Sequence, residues 1–154
     1  MSLEHGFFLV PNKVTYQELM RSNEKNLDVI DSLDISDDLI RYIADSLNWI
    51  PCKNPAILMT KESVGINYYG VTLFDQTSAA TLESIITAWH SLFMNSPEKL
   101  ELTGEFVHSS NKRVLGGRER LEFRRNDVLE SLERLLSMIT RLGEEDLYLY
   151  HLGI

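Results

Sequence analysis

Residues 66–93 have the sequence INYYGVTLFDQTSAATLESIITAWHSLF, in which the spacing of a strand gives way to the spacing of a helix. Over residues 66–74, apolar side chains fall on both faces of an extended chain, as they do in a strand at the centre of a sheet. From about Thr77 to Asn95, apolar residues recur at the period of a helix, at Leu82, Ile85, Ile86, Trp89 and Phe93. We therefore expect a central strand that leads into an amphipathic helix.

The rest of the chain contains further segments with one or the other of these two periods. The alternation typical of a strand occurs at residues 6–10, 56–60, 100–106, 121–123 and 147–152. Three more helices are predicted, each beginning at a residue that can cap it, namely Thr15, Ser36 and Asn126. The first of these helices extends to Ile30, and the last ends before Gly143.

The order of these elements predicts the fold class. Residues 100–106 and 121–123 are expected to form a hairpin in which glutamates face arginines, with its tip at residues 108–119. Short links between the other strands also favour antiparallel pairing. The chain is therefore predicted to form one α+β domain over residues 1–154. Its mostly antiparallel sheet has four to six strands, and amphipathic helices pack largely on one face of it.

The charge balance is acidic and excludes one class of partner. The 154 residues include 15 lysines and arginines against 23 aspartates and glutamates, a formal net charge of −8. Proteins that bind DNA or RNA normally present a basic face, so we expect no nucleic-acid partner. No apolar run approaches the roughly 18–20 residues of a membrane span, so we expect no membrane association.

Cysteine usage and the first residues bear on the compartment. Cys52 is the single cysteine, so no disulfide can form within the chain, which favours a reducing environment. Residues 1–10, MSLEHGFFLV, lack the basic segment of a signal peptide. We therefore expect a cytoplasmic protein.

Motifs that carry chemistry are missing. Gly65 and Gly70 have the spacing of a phosphate-binding loop, but no lysine follows them. The histidines and Cys52 lack metal-ligand spacing, and the aspartates miss the pattern of a calcium loop. No serine nucleophile elbow is present. The sequence predicts no catalytic residue, metal site or cofactor, and it favours a protein that is not an enzyme.

The uneven distribution of charge is the main functional signal. Residues 18–45 contain eight acids against three bases, whereas residues 112–125 contain six bases against two acids. An acidic helical face can attract a basic protein. Tyr148 and Tyr150 share one face of their strand, and an uncovered face would make them an aromatic contact surface. The predicted partner-binding residues are Asp28, Asp31, Asp34, Asp37, Asp38, Tyr148 and Tyr150.

The tip of the predicted hairpin is long and polar. Residues 108–118 have the sequence HSSNKRVLGGR, and loops of this length in compact domains are usually mobile or functional. Flexibility is the favoured interpretation, and its bases could alternatively bind an anion. The predicted mobile residues are His108, Lys112, Arg113, Gly116, Gly117 and Arg118.

Three features together resemble small bacterial immunity proteins, which neutralise the toxins of competing strains. They are the acidic segment Glu18–Asp45, the run NYYGVTLFD followed by TSAATLESIITAWHSLF, and the segment LYLYHLGI. The resemblance implies an inhibitor that covers a basic toxin with its acidic face, without turnover or cofactor. Two alternatives stay open. One is a small-molecule-binding or enzyme domain with a pocket between sheet and helices, and the other is an oligomeric scaffold that forms a homodimer.

Overall fold

The computed structural model describes residues 3–21, 28–55, 62–110 and 115–154. Its strands are β1 (Glu4–Pro11), β2 (Asp31–Ser36), β3 (Pro51–Lys53), β4 (Glu62–Val64), β5 (Val71–Phe74), β6 (Lys99–Val107), β7 (Gly117–Arg124) and β8 (Leu147–Leu152). Its helices are α1 (Tyr16–Met20), α2 (Asp37–Leu47), α3 (Gln76–Phe93) and α4 (Arg125–Glu144). No helix in the described ranges is long and apolar enough to cross a membrane.

The main sheet has six strands in the order β2-β1-β8-β5-β3-β4, and every neighbouring pair is antiparallel. The predicted α+β class is therefore confirmed. Strand β8 lies between β1 and β5, so it joins two parts of the sheet that are distant in sequence. Strands β6 and β7 form the predicted hairpin, but they make a two-stranded sheet of their own, which the sequence did not predict.

One face of the main sheet holds the core because alternate residues on its strands are apolar. Phe7, Leu9 and Leu149 point to this face and pack against buried side chains of α2, α3 and α4. Helices α2 to α4 therefore cover this face, as expected.

The capping oxygens predicted from the sequence are in place. Thr15 and Glu18 form a capping box, and Ser36 Oγ accepts a hydrogen bond from Leu39 N.

The opposite face of the sheet is covered in part by the segment that contains α1. Val14 and Leu19 pack against Val10, Leu73 and Tyr150 in a second, smaller cluster. This coverage corrects the expectation of an open tyrosine surface at Tyr150, which is buried.

Several predicted boundaries are wrong. The first helix ends at Met20, and Ile30 instead donates a backbone hydrogen bond to Leu9 O. Strand β2 occupies residues that the sequence places between two helices. Strand β5 begins only at Val71, because the preceding residues turn, with Gly70 N bonded to Asn67 O. The strand predicted at residues 56–60 lies outside the described residues.

The hairpin and the last helix follow the prediction more closely. The expectation that glutamates face arginines is wrong in register, because Glu101 of β6 lies opposite Glu122 of β7 and Arg120 lies opposite Thr103. Glu101 Oε2 and Arg120 Nε meet only diagonally, at 3.8 Å. Helix α4 begins at Arg125, so Asn126 lies in its first turn and is not the cap. The helix continues to Glu144, one residue past Gly143.

Candidate functional site

The predicted partner-binding aspartates do not form one surface. Asp28 is exposed and 3.9 Å from Lys13. Asp31 lies on the edge strand β2 beside Arg134 of α4. Asp34 is exposed on the same strand, on the face away from the helices, because it alternates with the core residues around it. The acids of this segment are therefore divided between different sides of the molecule.

Asp37 and Asp38 are adjacent in sequence, but their side chains have different environments. Asp37 is buried and bonded within the protein, which corrects its assignment as a contact residue. Asp38 is half-exposed on α2 and accepts a hydrogen bond from Arg41 at 3.0 Å. Tyr148 is half-buried, and its ring centroid lies 6.2 Å from that of the buried Tyr150.

The residues at the hairpin tip are only partly described. His108 is exposed and packs edge-on against the ring of Phe106. Gly116 precedes β7, whereas Gly117 and Arg118 are its first two residues, so the predicted tip at residues 108–119 extends too far. Arg118 donates a hydrogen bond to Gly104 O at 3.4 Å. Lys112 and Arg113 lie outside the described residues. Mobility of this loop stays a prediction.

A buried network of four polar side chains lies where α2 begins above the sheet. His5 Nδ1 and His151 Nε2 are 2.8 Å apart, and His5 Nε2 is 3.0 Å from Asp37 Oδ1. The Tyr68 hydroxyl donates a short hydrogen bond to the same carboxylate oxygen. Both histidines are 0% exposed. We call these four residues the polar network; they connect β1, β8, α2 and the turn before β5.

The electrostatics of the polar network define where its protons lie. Burial acts to raise the pKa of Asp37, but hydrogen bonds from Tyr68 and His5 more than offset it, so the pKa lies below 3.8. Burial and the bond to Asp37 both raise the pKa of Tyr68, which stays protonated. Burial, followed by the effect of His5, lowers the pKa of His151 from 6.5 to about 3. Asp37 is therefore ionised at neutral pH, whereas His151 is uncharged.

The shape of the polar network does not suit catalysis or metal binding. Its members are bonded in a row, and the two histidines have no access to solvent. Within the part of the chain that the structure describes, no group of three His, Cys, Asp or Glu side chains could hold a metal ion. A reactant could not reach the imidazoles without opening the sheet.

The outer side of α2 carries acids and aromatic residues in alternation. Asp38, Tyr42, Asp45 and Trp49 are spaced four, three and four residues apart, so they lie on one face of the helix and the turn after it. Each of these side chains is exposed or half-exposed, and Trp49 is 65% exposed. We call this row the acid–aromatic ridge.

An apolar groove lies beside the acid–aromatic ridge, between α2 and α3. Its volume is about 280 Å³, and it is lined by Ser46, Trp49, Ile85, Ala88, Trp89 and Leu92. Leu92 is 58% exposed, and the ring of Tyr42 packs edge-on against that of Trp89. Aromatic side chains of this kind are enriched at protein interfaces. Trp89 is partly buried against the core, whereas Trp49 is exposed.

Two other cavities are less suited to function. The cavity between sheet and helices measures only about 10 Å³, about the space of one water molecule, and its lining is wholly apolar. A polar cleft of about 500 Å³ lies near Cys52, but its main charges, Lys53 and Asp75, are 2.7 Å apart and bind each other. Burial raises the pKa of Cys52, whose thiol donates to Gly65 O, as expected for an inert thiol.

No family model matches the chain, and no curated protein or solved structure shows significant similarity to it. The acid–aromatic ridge and the apolar groove are exposed, whereas the two histidines of the polar network are fully buried.

Proposed function

We propose that this protein is a non-enzymatic protein-binding module whose acid–aromatic ridge and apolar groove receive a basic amphipathic segment of another protein. The observation that carries the proposal is the exposure of Trp49 between the ridge and the groove. A tryptophan in water forgoes the stabilisation of burial, and tryptophans are prominent among the residues that dominate binding energy at interfaces.

The charges around the ridge support a basic partner. Helices α2 and α3 contain the acids Asp37, Asp38, Asp45 and Glu83, and their one arginine is Arg41. Arg41 is engaged by Asp38 and by Glu119 of β7, at 3.0 and 3.1 Å. The exposed charged side chains of α2 and α3 are therefore mainly acidic, which would accelerate encounter with a positively charged surface.

The spacing of the ridge supports a helical partner segment. Helices dock into grooves through side chains at positions i, i+3 or i+4, and i+7. A segment whose apolar residues enter the groove and whose lysines or arginines meet Asp38 and Asp45 would match the alternation along α2. An inhibitor of the immunity type, which covers a basic toxin, is the biological role that we propose for this surface.

The experiment measures binding of a synthetic helical peptide of about 18 residues with a leucine face flanked by lysines. Fluorescence anisotropy is recorded at about 50 and 300 mM salt, where screening differs strongly. We expect weaker binding at high salt and no binding of a peptide in which glutamates replace the lysines. Amide shift changes should fall on residues 38–49 and 85–92.

Substitutions separate the two parts of the surface. Trp49→Ala is expected to weaken binding by roughly 10-fold or more, as for an interface hot spot. Asp45→Lys should weaken binding and reduce its salt dependence, whereas Glu144→Lys, an exposed site on α4 with the same change of charge, should have a smaller effect. Leu115→Ala is the apolar control, because Leu115 is 95% exposed elsewhere.

Three results would contradict the proposal. The first is equal affinity of the wild type and Trp49→Ala for the basic peptide. The second is no binding at about 1 mM peptide, a concentration that detects weak contacts. The third is a stable dimer in sedimentation that Trp49→Ala converts to a monomer, which would favour the scaffold alternative.

A further inference from the structure

We infer that the polar network excludes an added proton from the folded protein and so makes folding sensitive to acid. It joins four separate parts of the fold: β1 through His5, β8 through His151, α2 through Asp37 and the turn before β5 through Tyr68. The inference is independent of the proposed protein-binding function. It depends on counting the donors and acceptors of the two imidazoles.

In the neutral network, each hydrogen bond determines the next. The ionised Asp37 carboxylate can only accept hydrogen bonds, so the Tyr68 hydroxyl and His5 Nε2 both donate to it. A neutral His5 then accepts at Nδ1, and His151 donates from Nε2. His151 Nδ1 is left as an acceptor, and it is the buried side-chain nitrogen or oxygen without a hydrogen-bond partner in the described residues.

An added proton gives the two imidazoles one N–H donor more than there are acceptors for. If His151 takes it, Nδ1 becomes an N–H without an acceptor. If His5 takes it, His5 Nδ1 donates to His151 Nε2, and the N–H of His151 moves to the same unpartnered Nδ1. Both charged forms therefore bury an unsatisfied donor, which neither the neutral network nor the solvated unfolded chain does.

The surrounding groups do not remove this conflict. Asp37 and Arg41 are the charged groups from α2, and Tyr68 and Tyr69 are the titratable groups from the turn. The Phe7 ring of β1 packs beside His151, and Thr72 is its register partner on β5. The Asp37 carboxylate is bonded to His5 and Tyr68, and it does not reach His151 Nδ1.

The sign of the pH effect follows from His151. Its pKa is about 3 in the folded protein, against 6.5 for an ordinary histidine. Between these values the unfolded chain binds more protons, so stability is full above pH 6.5 and is lost as the pH falls. For one such group, lowering the pH from 7.5 to 5.0 should raise the unfolding equilibrium constant roughly 30-fold.

The test compares urea unfolding at pH 7.5 and 5.0 for the wild type and His151→Gln. A glutamine amide can still donate to His5 Nδ1 but takes up no proton in this range. Between pH 7.5 and 5.0, we expect the unfolding equilibrium constant of the wild type to rise roughly 30-fold more than that of His151→Gln. His108→Gln is the matched control, since His108 is exposed, and it should retain the wild-type pH dependence.

A nitrogen NMR titration of the wild type gives a second test that does not require a variant to fold. We expect His151 to hold its proton on Nε2 and to remain uncharged in the folded protein at pH 5. Equal pH dependence in the wild type and His151→Gln would overturn the inference. So would a native His151 that carries its proton on Nδ1 or becomes charged near pH 6.5.

Discussion

Trp89 Nε1 donates a hydrogen bond to Ser46 Oγ over 2.9 Å, and this bond fastens α3 to α2 beneath the apolar groove. The serine hydroxyl in turn donates to Ile43 O at 2.6 Å, so it is fixed to its own helix. The groove therefore has one tryptophan held from below and a second, Trp49, exposed at its rim. This contrast distinguishes residues that shape the surface from residues that a partner can contact.

Ser46→Ala is expected to lower the free energy of unfolding by about 1–2 kcal/mol, because it leaves the partly buried Trp89 indole N–H without an acceptor. Urea unfolding followed by tryptophan fluorescence measures the change. Ser84→Ala, at an exposed position of α3, should change stability by less than about 0.5 kcal/mol. Equal losses in the two variants would show that the hydrogen bond to Trp89 contributes nothing specific.

The strands and helices with strong alternation were predictable from sequence. Residues 147–152, LYLYHL, form β8 with the predicted bounds, because the alternation of leucine and tyrosine is visible within this short segment alone. Strand β2 escaped prediction because DSLDIS contains only Leu33 and Ile35 as apolar residues, a composition that an edge strand tolerates.

The polar network could not be predicted from spacing. His5 and His151 are 146 residues apart, and only the pairing of β1 with β8 brings them together. The acid–aromatic ridge is a different case, since the spacing of Asp38, Tyr42, Asp45 and Trp49 is visible in the sequence. The sequence does not show where α3 packs, and that packing determines which side of α2 stays exposed.

Gly153→Ala is expected to destabilise the fold by about 1–3 kcal/mol, the usual range for overpacking. An added Cβ would overlap the backbone carbonyl of Tyr68, so the turn that holds the Tyr68 hydroxyl against Asp37 would have to move. Gly117→Ala is the matched control, because nothing lies within 4 Å of a Cβ there. Thermal unfolding compares the two variants. A Gly153→Ala variant as stable as the wild type would contradict the close approach of Gly153 to the Tyr68 carbonyl.

Asp75 has two roles that two substitutions can separate. Its carboxylate caps α3 through Thr77 N and also binds Lys53 at 2.7 Å. Asp75→Ala removes both and should cost about 1–2 kcal/mol, whereas Asp75→Asn keeps a good cap and should cost less. Circular dichroism during denaturant unfolding measures both values. Equal costs would mean that the cap is not the main contribution.

Acid should affect the Asp75 variants differently from the wild type. Burial acts to raise the pKa of Asp75, but Lys53 and the bonds from Thr77 more than offset it and lower the pKa below 3.8. This carboxylate therefore contributes stability above about pH 3.8 that is lost as the pH falls. Asp75→Asn is expected to lose less stability than the wild type between pH 5 and pH 3, a range set by that pKa. Parallel curves would contradict the lowered pKa.

Tyr150→Phe is expected to cost about 1 kcal/mol, because the buried Tyr150 hydroxyl donates to Val14 O at 2.9 Å. Burial, with smaller effects of Tyr148 and Glu18, raises its pKa to about 12, so the hydroxyl stays protonated. Hydrogen exchange should become faster around Leu19. Tyr148→Phe is the control, since the Tyr148 hydroxyl has no hydrogen-bond partner in the described residues. Equal losses of stability in the two variants would contradict the contribution of the Tyr150 hydrogen bond.

The position of β8 between β1 and β5 has a consequence for synthesis on the ribosome. Translation proceeds from the amino end, so β2-β1 and β5-β3-β4 emerge from the exit tunnel as two separate pieces before residues 147–152 are available to join them. Phe7 and Thr72 must wait for His151, which pairs with Phe7 of β1 on one side and with Thr72 of β5 on the other. The nascent chain therefore exposes two unpaired strand edges late in translation, the state in which a chaperone would protect it most.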